Sequence, residues 1–410
     1  MRYYTFIILL LAGINSSFYG QDILTLEECQ NRAVDNYPLL KQEKLLKEAY
    51  QLKERNIQSS WLPKFDLGAK ATYQSDVVEI AVDLPFPADF PTPSKDQYNA
   101  FIDIQQTIYD GGVAKQRQNL EYANTLFKQE KVQVELHKVK EQVSRVFFQI
   151  FLLQENTELM KTMHQELDER VHVAESAVAN GSMLKSDLQE LKAEEIKVKQ
   201  RITELQADLN ASRSILAEYI NIQNDERISL KKPEPVLTDT MENQRPEKEV
   251  FELNKSVFDA NQNLIKAQRY PKLMAFGQAG YGRPGLNMIS DEFDIYYLVG
   301  VRLSWNIFDW NKNQRERQVM EVQKSITKTN EDTFDKNITI ALVQQSKVIK
   351  KLEQLLEMDD QIVNLRQAVA ETAASKLDNG TITSVDYLTK LNEVSKAKST
   401  RVLHSIQLLQ

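Results

Sequence analysis

The chain has 410 residues, of which 27% are charged and 42% hydrophobic, and its formal net charge at pH 7 is −7. This modest charge of mixed sign argues against a nucleic-acid-binding surface, which would be strongly basic. The 12 glycines and 11 prolines are few for this length and favour long helices over a loop-rich fold. The single cysteine, Cys29, excludes an internal disulfide.

The first twenty residues have the layout of a secretory signal peptide. Arg2 precedes an apolar run from Phe6 to Ala12, and small or polar residues follow up to Gly20. We therefore assign residues 1–20 to a signal peptide and predict that the protein is exported; a buried N-terminal helix is the alternative. Beyond this segment no apolar run reaches the roughly 18 residues that a membrane-spanning helix requires.

The first repeat unit, residues 21–230, begins with a helix and continues into two strands. Thr25 with Glu28 three residues later predicts a capped helix start, and Pro38 predicts a kink or a break. Over residues 64–78 and 97–109 apolar residues alternate with polar ones, which predicts strands with one apolar and one polar face. A proline-rich loop separates the two strands.

A very long helix follows over residues 112–180. Between Val113 and Asn180 there is no glycine and no proline, and apolar residues recur at alternating steps of four and three. This 3.5-residue repeat is typical of helices packed lengthwise on other helices. At ~1.5 Å per residue the helix would be on the order of 100 Å long. Asn180 and Gly181 predict a turn into a return helix over residues 182–222.

The second half of the chain repeats this order of elements. After a polar linker at 231–247, the second unit, residues 248–410, contains a helix, strands at 272–282 and 295–308, a long helix at 311–379 and a return helix at 381–410. Asp110 to Gly181 spans 71 positions (181 − 110), and Asp309 to Gly380 also spans 71 (380 − 309). Two unrelated helices would not be expected to have the same length to the residue, so we infer an internal duplication.

The strands suggest a membrane-inserted sheet. Strands of about ten residues with one apolar face fit a transmembrane β-barrel, although such strands also build soluble sandwiches. Four strands cannot close a barrel, and open sheet edges are not stable in lipid. Three chains would supply twelve strands, enough to enclose an aqueous lumen. The long helices would then bundle around the same axis and extend the tube.

In the order and spacing of these features the chain resembles the TolC family of outer membrane efflux proteins. The resemblance rests on the duplication and on these segments: Asn36-Tyr37-Pro38, Leu62-Pro63, Ile108-Tyr109-Asp110 with its copy Ile307-Phe308-Asp309, and the turns Asn180-Gly181 and Asn379-Gly380. It implies a mainly α fold with four β-strands per chain. Long antiparallel helical hairpins would form a periplasmic α-barrel, and three chains would share a 12-stranded transmembrane β-barrel.

The resemblance also implies a place and partners for the protein. It implies a homotrimer in the outer membrane, in contact with outer membrane lipid and with a long periplasmic extension. Its partners would be a periplasmic adaptor protein and an inner-membrane pump. It implies no catalytic activity, no cofactor, no metal and no nucleic acid.

The matched motifs indicate the residues that would carry this function. Asp386 and its copy Asp187 match acids that narrow the periplasmic constriction, and Thr389 stands where the family often has a second acid; a solvated or capping aspartate is the alternative for Asp386. Adaptor docking is expected at the tips, although a tight turn alone also explains their composition: Asn180, Gly181, Ser182, Asn379, Gly380 and Thr381. Aromatic residues near the strand ends suit the girdles at the lipid boundary: Trp61, Tyr73, Tyr109, Tyr281 and Trp305.

We therefore predict an exit duct that passively conducts small molecules in a tripartite efflux system. The alternatives are a duct for type I protein or peptide secretion and, in a different class, a non-channel periplasmic coiled-coil scaffold. An enzyme is disfavoured, because the four histidines lack metal or triad partners at usable spacing and Gly111-Gly112 is too short to cradle a phosphate. The exported substrate is not determined by this chain, because the pump largely selects it.

Overall fold

The computed structural model describes residues 23–78, 92–223, 228–234 and 245–410. The predicted signal peptide, the middle of the proline-rich loop and most of the predicted linker lie outside these residues. The helices and strands in chain order are β1 (Ile23–Leu24), α1 (Leu26–Asn36), α2 (Lys41–Gln58), β2 (Lys64–Tyr73), β3 (Asp96–Tyr109), α3 (Val113–Ala179), α4 (Lys185–Ile220), β4 (Ser229–Leu230), α5 (Pro246–Ala267), β5 (Lys272–Arg283), β6 (Asp294–Ser304), α6 (Lys312–Asp378) and α7 (Ser384–Leu409).

The chain divides into two compact units. We call the first the helical unit; of the described residues it contains those up to Tyr37, those within Leu136–Met241, and Ile340–Gln410. The second, the sheet unit, contains Pro38–Glu135 and Glu242–Thr339. The predicted set of four sheet strands and two very long helices is confirmed, and α3 and α6 each have 67 residues.

The sheet unit contains a four-stranded antiparallel sheet in the order β2-β3-β5-β6. Its register brings the apolar positions of all four strands into line: Leu67 pairs with Ile102, Ile102 with Ala279, and Ala279 with Tyr297. Since paired residues lie on the same face of a sheet, one face is apolar from edge to edge. That face is exposed, with Leu67 at 84% and Tyr297 at 75%.

Strand β2 is shorter than predicted: it ends at Tyr73, whereas the sequence predicted an end at residue 78. The ladder closes where the Gln74 N–H donates to the Lys95 carbonyl at 2.8 Å. Beyond it the Val77 N–H donates to the Asp76 carboxylate at 2.9 Å. Such a local side-chain bond occupies a backbone group that a continuing strand would need.

Strand β6 is also shorter than predicted: it ends at Ser304, whereas the sequence predicted an end at residue 308. Ser304 pairs with Lys272, so the next residue across the ladder would be Pro271. Proline has no N–H to donate to a ladder. The Trp305 indole N–H donates instead to the Arg269 carbonyl at 3.0 Å.

The duplicated Asp motifs begin the two long helices. The Asp110 carboxylate accepts hydrogen bonds from the Gly112 and Ala114 N–H groups at 2.8 and 2.5 Å. Asp309 accepts from the Asn313 N–H at 3.0 Å. The first N–H groups of a helix have no partner within it, so each aspartate stabilises the start of α3 or α6.

The helical unit is built around the predicted apolar repeat of α3. Val143, Phe147, Ile150 and Leu167 are fully buried, and the helices α1, α4 and α7 contribute buried apolar residues to the same clusters. Thr157, which interrupts the repeat, is also buried, and its hydroxyl donates to the Leu153 carbonyl at 2.7 Å.

The start of the helical unit follows the sequence closely. Thr25 and Glu28 form the predicted capping box, and α1 ends at Asn36, before a short 3₁₀-helix that begins at Pro38. Cys29 is fully buried in α1. β1 and β4, which the sequence did not predict, form a parallel two-residue ladder. A pair this short shows no periodicity from which it could be predicted.

Candidate functional site

The two helical hairpins turn in the same way. Gly181 and Gly380 have φ of 71° and 67°, a left-handed conformation that glycine adopts without strain. The N–H groups of Gly181 and Ser182 bond carbonyls at the end of α3 at 3.0 and 2.9 Å, and those of Gly380 and Thr381 bond the end of α6, both at 2.9 Å. Helix-end chemistry thus accounts for the glycines.

The remaining turn residues support the same geometry. Asn379 donates its side-chain amide to the Ser375 carbonyl at 2.8 Å, and the hydroxyls of Ser182 and Thr381 bond helix-end carbonyls at 3.0 and 2.9 Å. Asn180, like these three residues, is exposed. The six predicted docking residues therefore form two exposed turns of matching geometry.

Asp386 caps the helix that it belongs to. Its carboxylate accepts from the Thr383 N–H at 3.1 Å and from the Thr383 hydroxyl at 2.8 Å, while its own N–H donates to that hydroxyl at 3.2 Å. The Thr383 hydroxyl and N–H hold the pKa of the Asp386 carboxyl below its ordinary 3.8. The side chain is exposed, so it presents a permanent negative charge at neutral pH.

Asp187 has a different partner from its copy. Its carboxylate accepts from the Ser384 N–H at 3.1 Å, so it joins the start of α4 to the start of α7. The N-cap of α4 is Leu184, which has no side-chain acceptor, whereas the corresponding residue of α7 is Thr383. Thr389, one turn after Asp386, is exposed and donates its hydroxyl to the Val385 carbonyl at 2.8 Å, so it adds no charge.

A buried tyrosine beside these acids was not predicted. Tyr387 is fully buried, and its hydroxyl donates to Glu166 of α3 at 3.1 Å. The guanidinium of Arg170 lies 5.6 Å from the centre of the Tyr387 ring and bonds Asp378 at 2.6 Å. Burial raises the pKa of the Tyr387 phenol well above its ordinary value. We call Glu166, Arg170, Asp378 and Tyr387 the tip cluster.

The sequence does contain a signal for Tyr387. The residue occupies an apolar position of α7, in register with the buried Leu391 and Val394. A tyrosine at such a position buries its ring and requires a partner for its hydroxyl. The identity of that partner depends on how α7 packs on α3, which the repeat alone does not specify.

The predicted aromatic residues lie at both ends of the sheet. Trp61, Tyr109 and Trp305 lie where the strands join the helices, and Tyr73 and Tyr281 lie toward the opposite end. All five are exposed. From Ile295 to Leu303 the apolar face of β6 covers nine residues, roughly 27 Å along the strand and, at the usual barrel tilt of about 40°, about 20 Å in height. The apolar band of an outer membrane barrel is about 25 Å tall.

Within the described ranges, no helix is both long and apolar enough to cross a membrane. Over the same part of the chain, no group of three or more His, Cys, Asp or Glu side chains is placed to hold a metal ion.

Comparison with known proteins identifies this architecture. The model of the outer membrane efflux protein family matches residues 30–221, whereas no curated protein matches the sequence. Among solved structures the chain is similar to the outer membrane protein VceC of Vibrio cholerae, with 16% identity, 94% of this chain and 93% of that chain covered, and a TM-score of 0.64. It is also similar to CusC, with 12% identity, 93% of this chain and 89% of the CusC chain covered, and a TM-score of 0.68.

A third solved structure is the open state of the outer membrane channel MtrE of Neisseria gonorrhoeae. The two sequences are 12% identical, the match covers 94% of this chain and 86% of the MtrE chain, and the TM-score is 0.63. At these identities the likeness establishes the fold. The chain therefore matches the model of the outer membrane efflux protein family over residues 30–221 and shares the fold of these outer membrane proteins over nearly its whole length.

Proposed function

We propose that the protein is the trimeric outer membrane channel of a tripartite efflux system and passively conducts small molecules to the exterior. The observation that carries this proposal is the four-stranded sheet, whose apolar face is exposed from edge to edge. In water such a face would be costly, at about 25 cal/mol per Å² of apolar surface. In lipid the same face is stabilising.

The edges of the sheet support assembly into a trimer. β2 and β6 each pair on one side only, so their outer N–H and C=O groups have no partner in the sheet. Hydrocarbon offers no hydrogen bonds to these groups, and only a closed barrel satisfies them. Pairing β6 of one chain with β2 of the next closes the sheet, and three chains supply twelve strands.

The hairpin turns are the proposed periplasmic end of this channel. Three copies of Asp386 would form a ring of permanent negative charge there, because the side chain is exposed and its pKa is lowered. Such a ring favours cations over anions. The exposed turns around Gly181 and Gly380 would contact a periplasmic adaptor, which couples the channel to an inner-membrane pump.

The proposal is tested by the oligomeric mass of the protein extracted from outer membranes in mild detergent, corrected for bound detergent. We expect three times the mass of the mature chain. A monomer that stays in solution without detergent would refute the barrel and favour a periplasmic scaffold.

A matched pair of variants tests the lipid-facing side. Leu67→Arg places a charge on the apolar face of an outer membrane barrel, where a cation costs up to about 2–4 kcal/mol at the bilayer midplane. Gln105→Arg places the same charge on the opposite, polar face. We expect only Leu67→Arg to reduce the yield of heat-stable trimer in outer membranes. Equal yields for the two variants would contradict the assignment of the faces.

A further inference from the structure

The turn before α6 holds a bulky residue in a conformation that favours glycine. Trp310 and Asn311 have φ of 53° and 61°. The corresponding residues before α3 are Gly111 and Gly112, with φ of 73° and 83°. The two turns therefore share a left-handed backbone, but only the second has a large side chain in it. For a tryptophan this conformation is a genuine outlier, and such strain is retained mainly where the side chain has a function.

The Trp310 side chain lies outside the protein core. Its exposed fraction is 77%, and its ring meets the Phe308 ring edge to face, with the ring centres 4.8 Å apart. Trp305 and Ile307, which are also exposed, continue the alternation of the apolar face of β6 beyond the last paired residue, Ser304, and Phe308 and Trp310 follow directly in the chain. The core of the sheet unit therefore does not explain why a tryptophan stands here.

Three cationic side chains lie in the segments next to this aromatic pair. Arg269, Lys312 and Arg315 are exposed, and Arg315 donates to the Trp310 carbonyl at 2.8 Å. Two acids lie nearby: Asp309 caps α6 and interacts electrostatically with Arg269, and Glu316 lies 3.8 Å from Lys312, so three cations stand against two acids. Aromatic rings beside lysine and arginine, at the end of a lipid-facing strand, are the combination that suits the headgroup level of a bilayer.

We propose that Trp310, with Phe308, anchors the chain in the phospholipid headgroup layer on the side of the membrane where the strands join the helices. The Trp310 ring would lie at the boundary of headgroups and acyl chains, and Arg269, Lys312 and Arg315 would face lipid phosphates. This inference rests on the proposed function, because it requires the sheet to be in lipid. It adds a specific anchor and an orientation, and it explains why the second turn retains a strained tryptophan where the first has glycine.

The three tryptophans of the chain make a direct test possible. Trp61→Phe with Trp305→Phe leaves Trp310 as the only tryptophan. A reference protein carries Val299→Trp with all three native tryptophans replaced by phenylalanine, because Val299 lies midway between Ile295 and Leu303 on the apolar face of β6. Both proteins are reconstituted as full chains into phosphatidylethanolamine–phosphatidylglycerol vesicles. The vesicles contain phospholipids brominated either near the glycerol or near the middle of the acyl chain, and tryptophan emission is measured.

We expect Trp310 to lose more of its emission to the bromines near the glycerol, and the Val299→Trp reporter to lose more to the deep bromines. If the reporter is quenched and Trp310 is not, the sheet is in lipid but the anchor proposal is wrong. Stronger quenching of Trp310 by the deep bromines would also overturn the proposal. If neither protein is quenched, the sheet is not in lipid, and the proposed function fails together with the anchor.

Discussion

Replacing Tyr387 by phenylalanine would remove one hydroxyl from the tip cluster and keep the buried ring. That hydroxyl donates to Glu166 at 3.1 Å and ties α7 to α3. A hydrogen bond to a charged group contributes about 1.5–3 kcal/mol. Since Glu166 is only partly buried, we take the lower value of about 1.5 kcal/mol per chain.

The effect on the channel follows from the proposed trimer. If the tips open by separating α7 from α3 in all three chains together, the three bonds amount to about 4.5 kcal/mol. This corresponds to a shift on the order of a thousandfold in the opening equilibrium, since 1.4 kcal/mol is a factor of ten. We therefore expect Tyr387→Phe to raise single-channel conductance or open time in planar bilayers.

Thr389→Val is the matched control, because the Thr389 hydroxyl bonds only a carbonyl of its own helix. Its conductance should remain that of the wild type. Wild-type conductance and open time in Tyr387→Phe would refute the premise that the tips open by separating α7 from α3. Equal changes in both variants would show that the effect is not specific to the contact between α7 and α3.

Three further predictions follow from the described residues. Asp386→Asn should reduce cation selectivity in planar bilayers, and unchanged selectivity would contradict the proposed ring. Because the Thr383 hydroxyl and N–H lower the pKa of the Asp386 carboxyl, the contribution of this cap to stability should persist as pH falls to 3.8 and be lost only below it; a loss near pH 6 would contradict the cap. Gly181→Ala should lower the thermal unfolding midpoint, since a φ of 71° costs a residue with a Cβ about 1–2 kcal/mol. Gly181→Asn should lower the midpoint less, and equal decreases would argue against backbone strain as the cause. The Cys29 thiol should resist maleimide in the native protein and react after denaturation, because burial raises its pKa to about 11. Equally fast labelling of native and denatured protein would contradict the position of Cys29 in the core.

Much of the fold could be predicted from the sequence, because local rules specify it. The capping box of Thr25 and Glu28, the break at Pro38 and the glycine turns at 181 and 380 each depend on a few neighbouring residues. The periods of the strands and of α3 are likewise repeated local signals. The two turns could be predicted for the same reason, because each lies within a short segment, whereas Asp386 has the capping contact that was the alternative to a constriction residue.

The tertiary structure decided what depends on residues far apart in the chain. β6 stops at Ser304 because Pro271 lies across the ladder, and that register becomes visible only when the strands are paired. Tyr387 meets Glu166 across 221 positions of sequence, and Asp187 meets Ser384 across 197. Glycine indicates a left-handed backbone in the turn before α3, whereas tryptophan at the equivalent position before α6 gives no such indication. Periodicity and turn chemistry act over a few residues, whereas these contacts depend on how distant helices and strands pack.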